Sequence, residues 1–118
     1  MVRISIERLE SLISQIVEEL PDELKTKLEN IDIAIENSSP QKRSSNGITL
    51  GLYQGVPLSK RGFWYGNVLP DKITIFKDSI EALCDSEDDI EKMVRQVVIH
   101  EIAHYFGFGE KEIREAGY

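Results

Sequence analysis

One cysteine stands in 118 residues, Cys84, so the chain can close no internal disulfide. A lone thiol fits a reducing, cytoplasmic setting. At an apolar position near a helix end, Cys84 reads as a small core residue rather than a nucleophile. Positive charge is also short: 14 Lys and Arg face 21 Asp and Glu, for a net charge of -7. That balance argues against a general nucleic-acid or acidic-membrane binder, because both need a basic face. Long hydrophobic runs are missing too. No stretch approaches the roughly 20 apolar residues of a transmembrane helix. The N-terminal "MVRISIERLESLISQIVEEL" carries charges throughout and lacks the apolar run of a signal peptide. There is no internal repeat and no low-complexity segment. Histidine is scarce: the chain has two, and both lie in one short stretch near the end.

What is present suits an ordinary folded domain. Hydrophobic residues make up 41% and charged residues 30%. The length predicts a single domain over 1–118 with one modest core. Residues 5–20 have apolar positions at helical spacing: Ile6, Leu9, Ile13, Ile16, Val17 and Leu20. Ser5 can cap this helix, and Ile4 can staple onto Leu9. Pro21 ends it and can open a short helix over 22–29. "IDIAI" (31–35), "ITLGLY" (48–53) and "KITIF" (72–76) read as strands. Gly51 within the second implies a bulge or a close backbone approach.

Two polar or mixed loops separate the strands. Lys42 and Arg43 in the first read as solvated charges. In the second, one or two of Phe63, Trp64 and Tyr65 read as plugs at the core edge, and a wall or lid of a cleft is the functional alternative. "DSIEALC" predicts a short helix, and Ser86 with Asp89 predicts a capped start to a long one ending near Phe106. A last short helix is expected over 110–116. The order implies an α+β fold, a small three- to four-stranded sheet packed with helices.

The long helix changes character along its length. It begins amphipathic, with Ile90, Met93, Val94 and Val97 inward, and then reads "VVIHEIAHYF", apolar nearly all round. Such a helix is a buried one. An ionised carboxylate buried there without a partner is strongly unfavourable, so Glu101 needs a polar partner or cavity. His100 and His104 stand four residues apart on one helix face, where two imidazole nitrogens can meet one ion at ~2.0–2.1 Å. Glu101 lies about 100° round the helix, placed to reach a water on that ion. This is the H-E-x-x-H arrangement with glutamate as general base.

A catalytic zinc takes three protein ligands. Gly107 can turn the chain in the left-handed region, and Glu110 three residues later can point back as the third. A glutamate there is also favoured by the helix dipole alone. Tyr105 reads as a core residue. No methionine follows the motif, so the methionine turn of metzincins is absent.

With "GLYQGVPLSKR" (51–61), "LPDKITIFKDSIEALC" (69–84) and "VIHEIAHYFGFGE" (98–110), the chain resembles the small, single-domain, zincin-like metallopeptidases of bacteria. Their pattern is H-E-x-x-H-x-x-G-x-x-D. The resemblance implies a minimal zincin fold and one zinc ion. It places His100 and His104 on the zinc ligands, Glu101 on the catalytic base, and Glu110 where the family has aspartate. The function implied is a zinc-dependent peptidase that acts on a peptide or protein substrate. The intracellular metallopeptidases that cut phage repressors share "HEIAHYF" but not the first segment. A non-catalytic zinc-binding or protein-interaction module is the alternative from another class.

Overall fold

The computed structural model describes residues 2–29, 31–38, 49–55 and 71–118. Five helices and three strands occur among them. They are α1 (Ile6–Glu18), α2 (Asp22–Lys27), β1 (Ile31–Glu36), β2 (Gly51–Gln54), β3 (Asp71–Phe76), α3 (Lys77–Ala82), α4 (Glu87–Phe106) and α5 (Glu110–Glu115). The expected elements are all found, with ends shifted by a few residues. Lys42, Arg43, Phe63, Trp64 and Tyr65 lie outside the described residues.

The sheet has the order β1-β3-β2, with β1 parallel and β2 antiparallel to the central β3. In β3, Ile73 and Ile75 on one face and Thr74 and Phe76 on the other are all buried. Both faces of this strand are therefore covered, as its apolar run requires. The result is an α+β fold, with a small mixed sheet and one long helix in the C-terminal part of the chain.

Helix α1 starts where the residues say it should. The Ser5 hydroxyl accepts the Arg8 amide N–H at 3.1 Å, and Ile4 and Leu9 are both buried in the core cluster. Leu9, Leu12, Ile13 and Ile16 form its inner face. They share one core with Ile90, Val94, Val97 and Val98 of α4. Glu81 of α3, itself buried, accepts the Ile4 N–H at 2.7 Å and a Lys77 ammonium contact at 3.1 Å. That pair ties the N-terminus to α3 and leaves the buried carboxylate compensated. Cys84 is buried just after α3, and burial pushes its thiol pKa up, as suits a core residue.

Helix α4 begins at Ser86, whose hydroxyl accepts the Asp89 N–H at 3.1 Å. The Asp89 carboxylate reaches back one residue further than a capping box does, to the Asp85 N–H at 3.1 Å. From Val97 to Gly107 no residue is exposed, but only Val97, Val98, Ile102 and Tyr105 are fully buried, so the segment expected to be buried all round is partly covered. Among the described residues, no helix is long and apolar enough to cross a membrane.

Gly51 explains how closely β2 lies against α4. A Cβ added there would sit 2.7 Å from Val97 Cγ1, 3.3 Å from the Thr74 carbonyl oxygen and 3.4 Å from Glu101 Cγ. The close approach expected of this glycine is the contact that brings β2 to the functional helix. Gly51→Ala is expected to cost about 1–3 kcal/mol by overpacking. Thermal denaturation should show the melting temperature falling by several degrees; an unchanged value would mean that β2 is not tightly seated.

Candidate metal centre

The site grows out of the C-terminal half of α4 and the two turns that follow it. His100 and His104 share one face of the helix, with ring centroids 5.0 Å apart. Gly107 then closes the helix in the left-handed region, at φ 100°. Its N–H bonds the His104 carbonyl at 2.9 Å, and the Phe108 N–H bonds the Ala103 carbonyl at 3.1 Å. This paired closure turns the chain sharply. Gly109 leads into α5, its N–H held by the Glu112 carboxylate at 3.3 Å.

The turn delivers Glu110 to the imidazoles. Its Oε1 lies 2.6 Å from His100 Nε2 and 2.6 Å from His104 Nε2. Its Oε2 faces Arg114 Nε at 3.3 Å, one turn on. The three donor groups lie within 4.8 Å of one another and form the cluster among the described residues that can hold a metal ion.

The hydrogen-bond roles at His100 show that this point wants positive charge. Its Nδ1 lies 2.9 Å from the main-chain oxygen of Tyr118. A main-chain oxygen of this kind only accepts, so Nδ1 carries the proton in this contact. In the neutral ring Nε2 is then a bare lone pair, 2.6 Å from a carboxylate oxygen. Two acceptors that close need a cation between them, either a second proton or a metal. Two imidazoles and one carboxylate suit zinc and leave its fourth position open.

Glu101 faces the other side of the cluster. Its carboxylate accepts the main-chain N–H of Tyr53 in β2. Tyr53 is itself fixed: its hydroxyl donates to buried Asp71 at 2.7 Å, and its ring packs edge-on to Tyr105 at 5.9 Å. Tyr105 is buried, and its hydroxyl donates to the Lys27 carbonyl at 2.8 Å. Glu101 and His104 open onto a cleft of about 390 Å³, which Leu52, Tyr53, Gly107, Phe108 and Gly109 also line. Phe108 is 52% and Leu52 39% exposed, so the cleft has an apolar rim. A cavity of similar size between α1 and β1 lies away from these groups.

Burial pushes the Glu101 carboxyl above its usual range, against the pull of both imidazoles and the Tyr53 N–H. Burial also opposes charge on His100. The Tyr118 oxygen, the Glu110 hydrogen bond and the charges of Glu101 and Glu110 outweigh it and raise that pKa. For Glu110, burial raises the pKa, but the hydrogen bonds and charges of the two histidines bring it below the ordinary value.

These directions set a pH dependence for the metal-free protein. The raised His100 contributes stability that is complete below its unfolded value of about 6.5 and is lost as pH rises through the folded one. The raised Glu101 has the same sign, with its loss starting above about 4.3. The lowered Glu110 contributes above about 4.3 and loses its share as pH falls. The melting temperature of chelator-treated protein should therefore peak in mildly acidic buffer and decline toward alkaline pH. A steady rise to about pH 9 would contradict this balance.

Comparisons with known proteins bear on the family and the fold. A family model described as zincin-like metallopeptidase matches residues 28–118. The chain belongs to that family. Membership implies zinc binding and the metallopeptidase class of hydrolase. One similar solved structure is a conserved hypothetical protein from Thermo thermophilus. It shares 21% identity and a TM-score of 0.62, with 95% of this chain and 99% of that one covered. At that identity the likeness concerns the fold. No curated protein matches the chain.

Two participants are invisible to the family motif. Both Tyr53 and Tyr118 act through main-chain atoms, which carry no signature in side-chain identity. The nearest sequence signal is Gly51, whose missing Cβ lets β2 reach Glu101.

Proposed function

We propose that this zincin-like domain, taken as residues 1–118, is a zinc-dependent peptidase working in the cytoplasm. In this reading His100, His104 and Glu110 hold one zinc ion and Glu101 is the general base. The observation that carries it is the meeting of two imidazole Nε2 atoms at one Glu110 oxygen, 2.6 Å from each, beside the half-buried Glu101 carboxylate that opens onto a cleft.

When bound, zinc supplies a Lewis acid that polarises a carbonyl and makes water more acidic. The chain's own residues do the rest. Glu101 takes a proton from the attacking water and passes it to the leaving amine. Its raised pKa brings it nearer to working pH than an exposed glutamate. The Tyr53 N–H keeps the carboxylate aimed, and the packing around α4 limits its rotation. A peptide is taken to lie extended along β2, whose Leu52 and Tyr53 wall the cleft.

The test begins with protein purified without added zinc. It should carry about one zinc per chain and cleave members of an unbiased peptide library. Activity should vanish with a chelator and return with zinc. Absence of stoichiometric metal would defeat the reading. Bound zinc with no cleavage of any peptide would instead favour a zinc-dependent binding module.

A further inference from the structure

We propose that Phe108 sets the substrate preference of the cleft: its ring receives a large apolar side chain of the peptide, on a residue bordering the bond that is cut. This rests on the reading of the domain as a zinc-dependent peptidase.

The turn after α4 holds an aromatic ring out toward water. Phe108 is 52% exposed, more than any other large hydrophobic residue among the described residues. Its backbone is nevertheless pinned, because its N–H bonds the Ala103 carbonyl at 3.1 Å. One exposed apolar residue means little by itself. This one lines the cleft that holds Glu101 and His104, and Leu52, 39% exposed, lines the same cleft from β2. Gly109 is the second observation. Its φ of -83° and ψ of 166° suit any residue. A Cβ there would meet Glu112 Oε1 at an ordinary 3.7 Å and nothing closer. Neither conformation nor packing therefore calls for glycine. Serine at this place would complete a capping box with Glu112, whose carboxylate already holds the Gly109 N–H at 3.3 Å. What the glycine keeps open is the cleft beside Phe108, and bare backbone of this kind lets a ligand approach closely.

The lining decides the kind of side chain. The Tyr53 hydroxyl is engaged with Asp71 at 2.7 Å. Beside Glu101 and His104, which serve the chemistry, no lining residue carries a charge. A charged substrate side chain would lose its water there without a compensating partner. An aliphatic or aromatic one instead buries apolar surface against the ring. At about 390 Å³ the cleft lies at the small end of ligand pockets, which run to about 1,000 Å³. It suits one side chain and its flanking peptide units. Because Phe108 and Glu101 line that one small space, the selected residue is one that borders the reacting carbonyl.

The test compares zinc-loaded wild type with Phe108→Ala and Gly109→Ser. The probe is an internally quenched peptide that wild type cleaves, remade with Ala, Leu, Phe, Glu or Lys in turn at each position flanking the cut. Wild type should favour Leu and Phe over Ala, Glu and Lys at one of these positions, with kcat/KM for Leu about 10–200 times that for Ala. Phe108→Ala should bring the Leu-to-Ala ratio close to one while the protein keeps its zinc and its melting temperature, since the ring lies outside the core. Gly109→Ser should obstruct the cleft and lower kcat/KM for the Leu and Phe peptides, with a melting temperature at or above that of wild type. Absence of an apolar preference in wild type, or an unchanged ratio in Phe108→Ala, would overturn the role of Phe108 and leave the peptidase reading standing. Full activity of Gly109→Ser would overturn the close approach at the bare backbone. A wild type that cleaves no peptide would overturn the reading beneath both.

Discussion

Glu101→Gln is expected to lower peptide hydrolysis by about 10²–10⁴-fold, the usual contribution of a positioned general base, while the protein keeps one zinc per chain. The replacement is nearly isosteric. Its amide oxygen can still accept the Tyr53 N–H, so the cleft wall and the seat of α4 against β2 are kept. What disappears is the capacity to take a proton from water. Because that interaction belongs to the transition state, kcat should fall with little change in KM.

A second readout separates chemistry from damage. Burial is the main reason the Glu101 carboxyl is hard to ionise. Removing it should therefore raise the melting temperature of metal-free protein at neutral pH, with the gain fading toward about pH 4, where wild type is protonated too. A protein that loses activity yet gains neutral-pH stability fits a functional carboxylate held against its own preference. Loss of both would point to structural disruption, and undiminished hydrolysis would remove Glu101 from the mechanism.

Glu110→Ala is expected to weaken zinc binding on the order of a hundredfold or more, taking a tetrahedral site's total of about 10–16 kcal/mol as shared among its ligands. Both imidazoles would then face an unfilled corner, and Arg114 would lose its partner on the next turn. Wild type should gain about 2.7 kcal/mol of apparent stability at a zinc concentration 100 times the Kd. At the same concentration the variant should gain much less, which a melting curve with and without zinc reads directly. Glu110→Asp is the informative companion, since aspartate stands at this place in the family pattern. Because the carboxylate reaches both Nε2 atoms through a glutamate-length side chain, Asp should bind zinc more weakly than wild type but more strongly than Ala. Equal affinity in all three proteins would place the third ligand elsewhere.

Much of this molecule follows from local spacing. An H-E-x-x-H run on a helix puts its imidazoles on one face whatever else the chain does, because the helix repeats every 3.6 residues. The apolar letters around it imply burial, and Gly107 three residues on permits the turn. Ser5, Ser86, Pro21 and the β-branched run of β3 likewise act within a few residues of themselves. Elements of that kind are legible because their causes are near neighbours in the chain.

Three features had no such cause. Glu110 could have been a simple helix-end charge; only the folded turn carries its oxygen to 2.6 Å from both rings. Glu101 had to find a polar partner, but no local pattern named the Tyr53 N–H, 48 residues earlier in the chain. Nor did any residue letter announce that the Tyr118 oxygen would meet His100. Periodicity and capping decide which way a side chain leaves its own element. Which main-chain atom waits there depends on how β2 and the end of α5 pack against α4, a matter of contacts distant in sequence that only the assembled core can set.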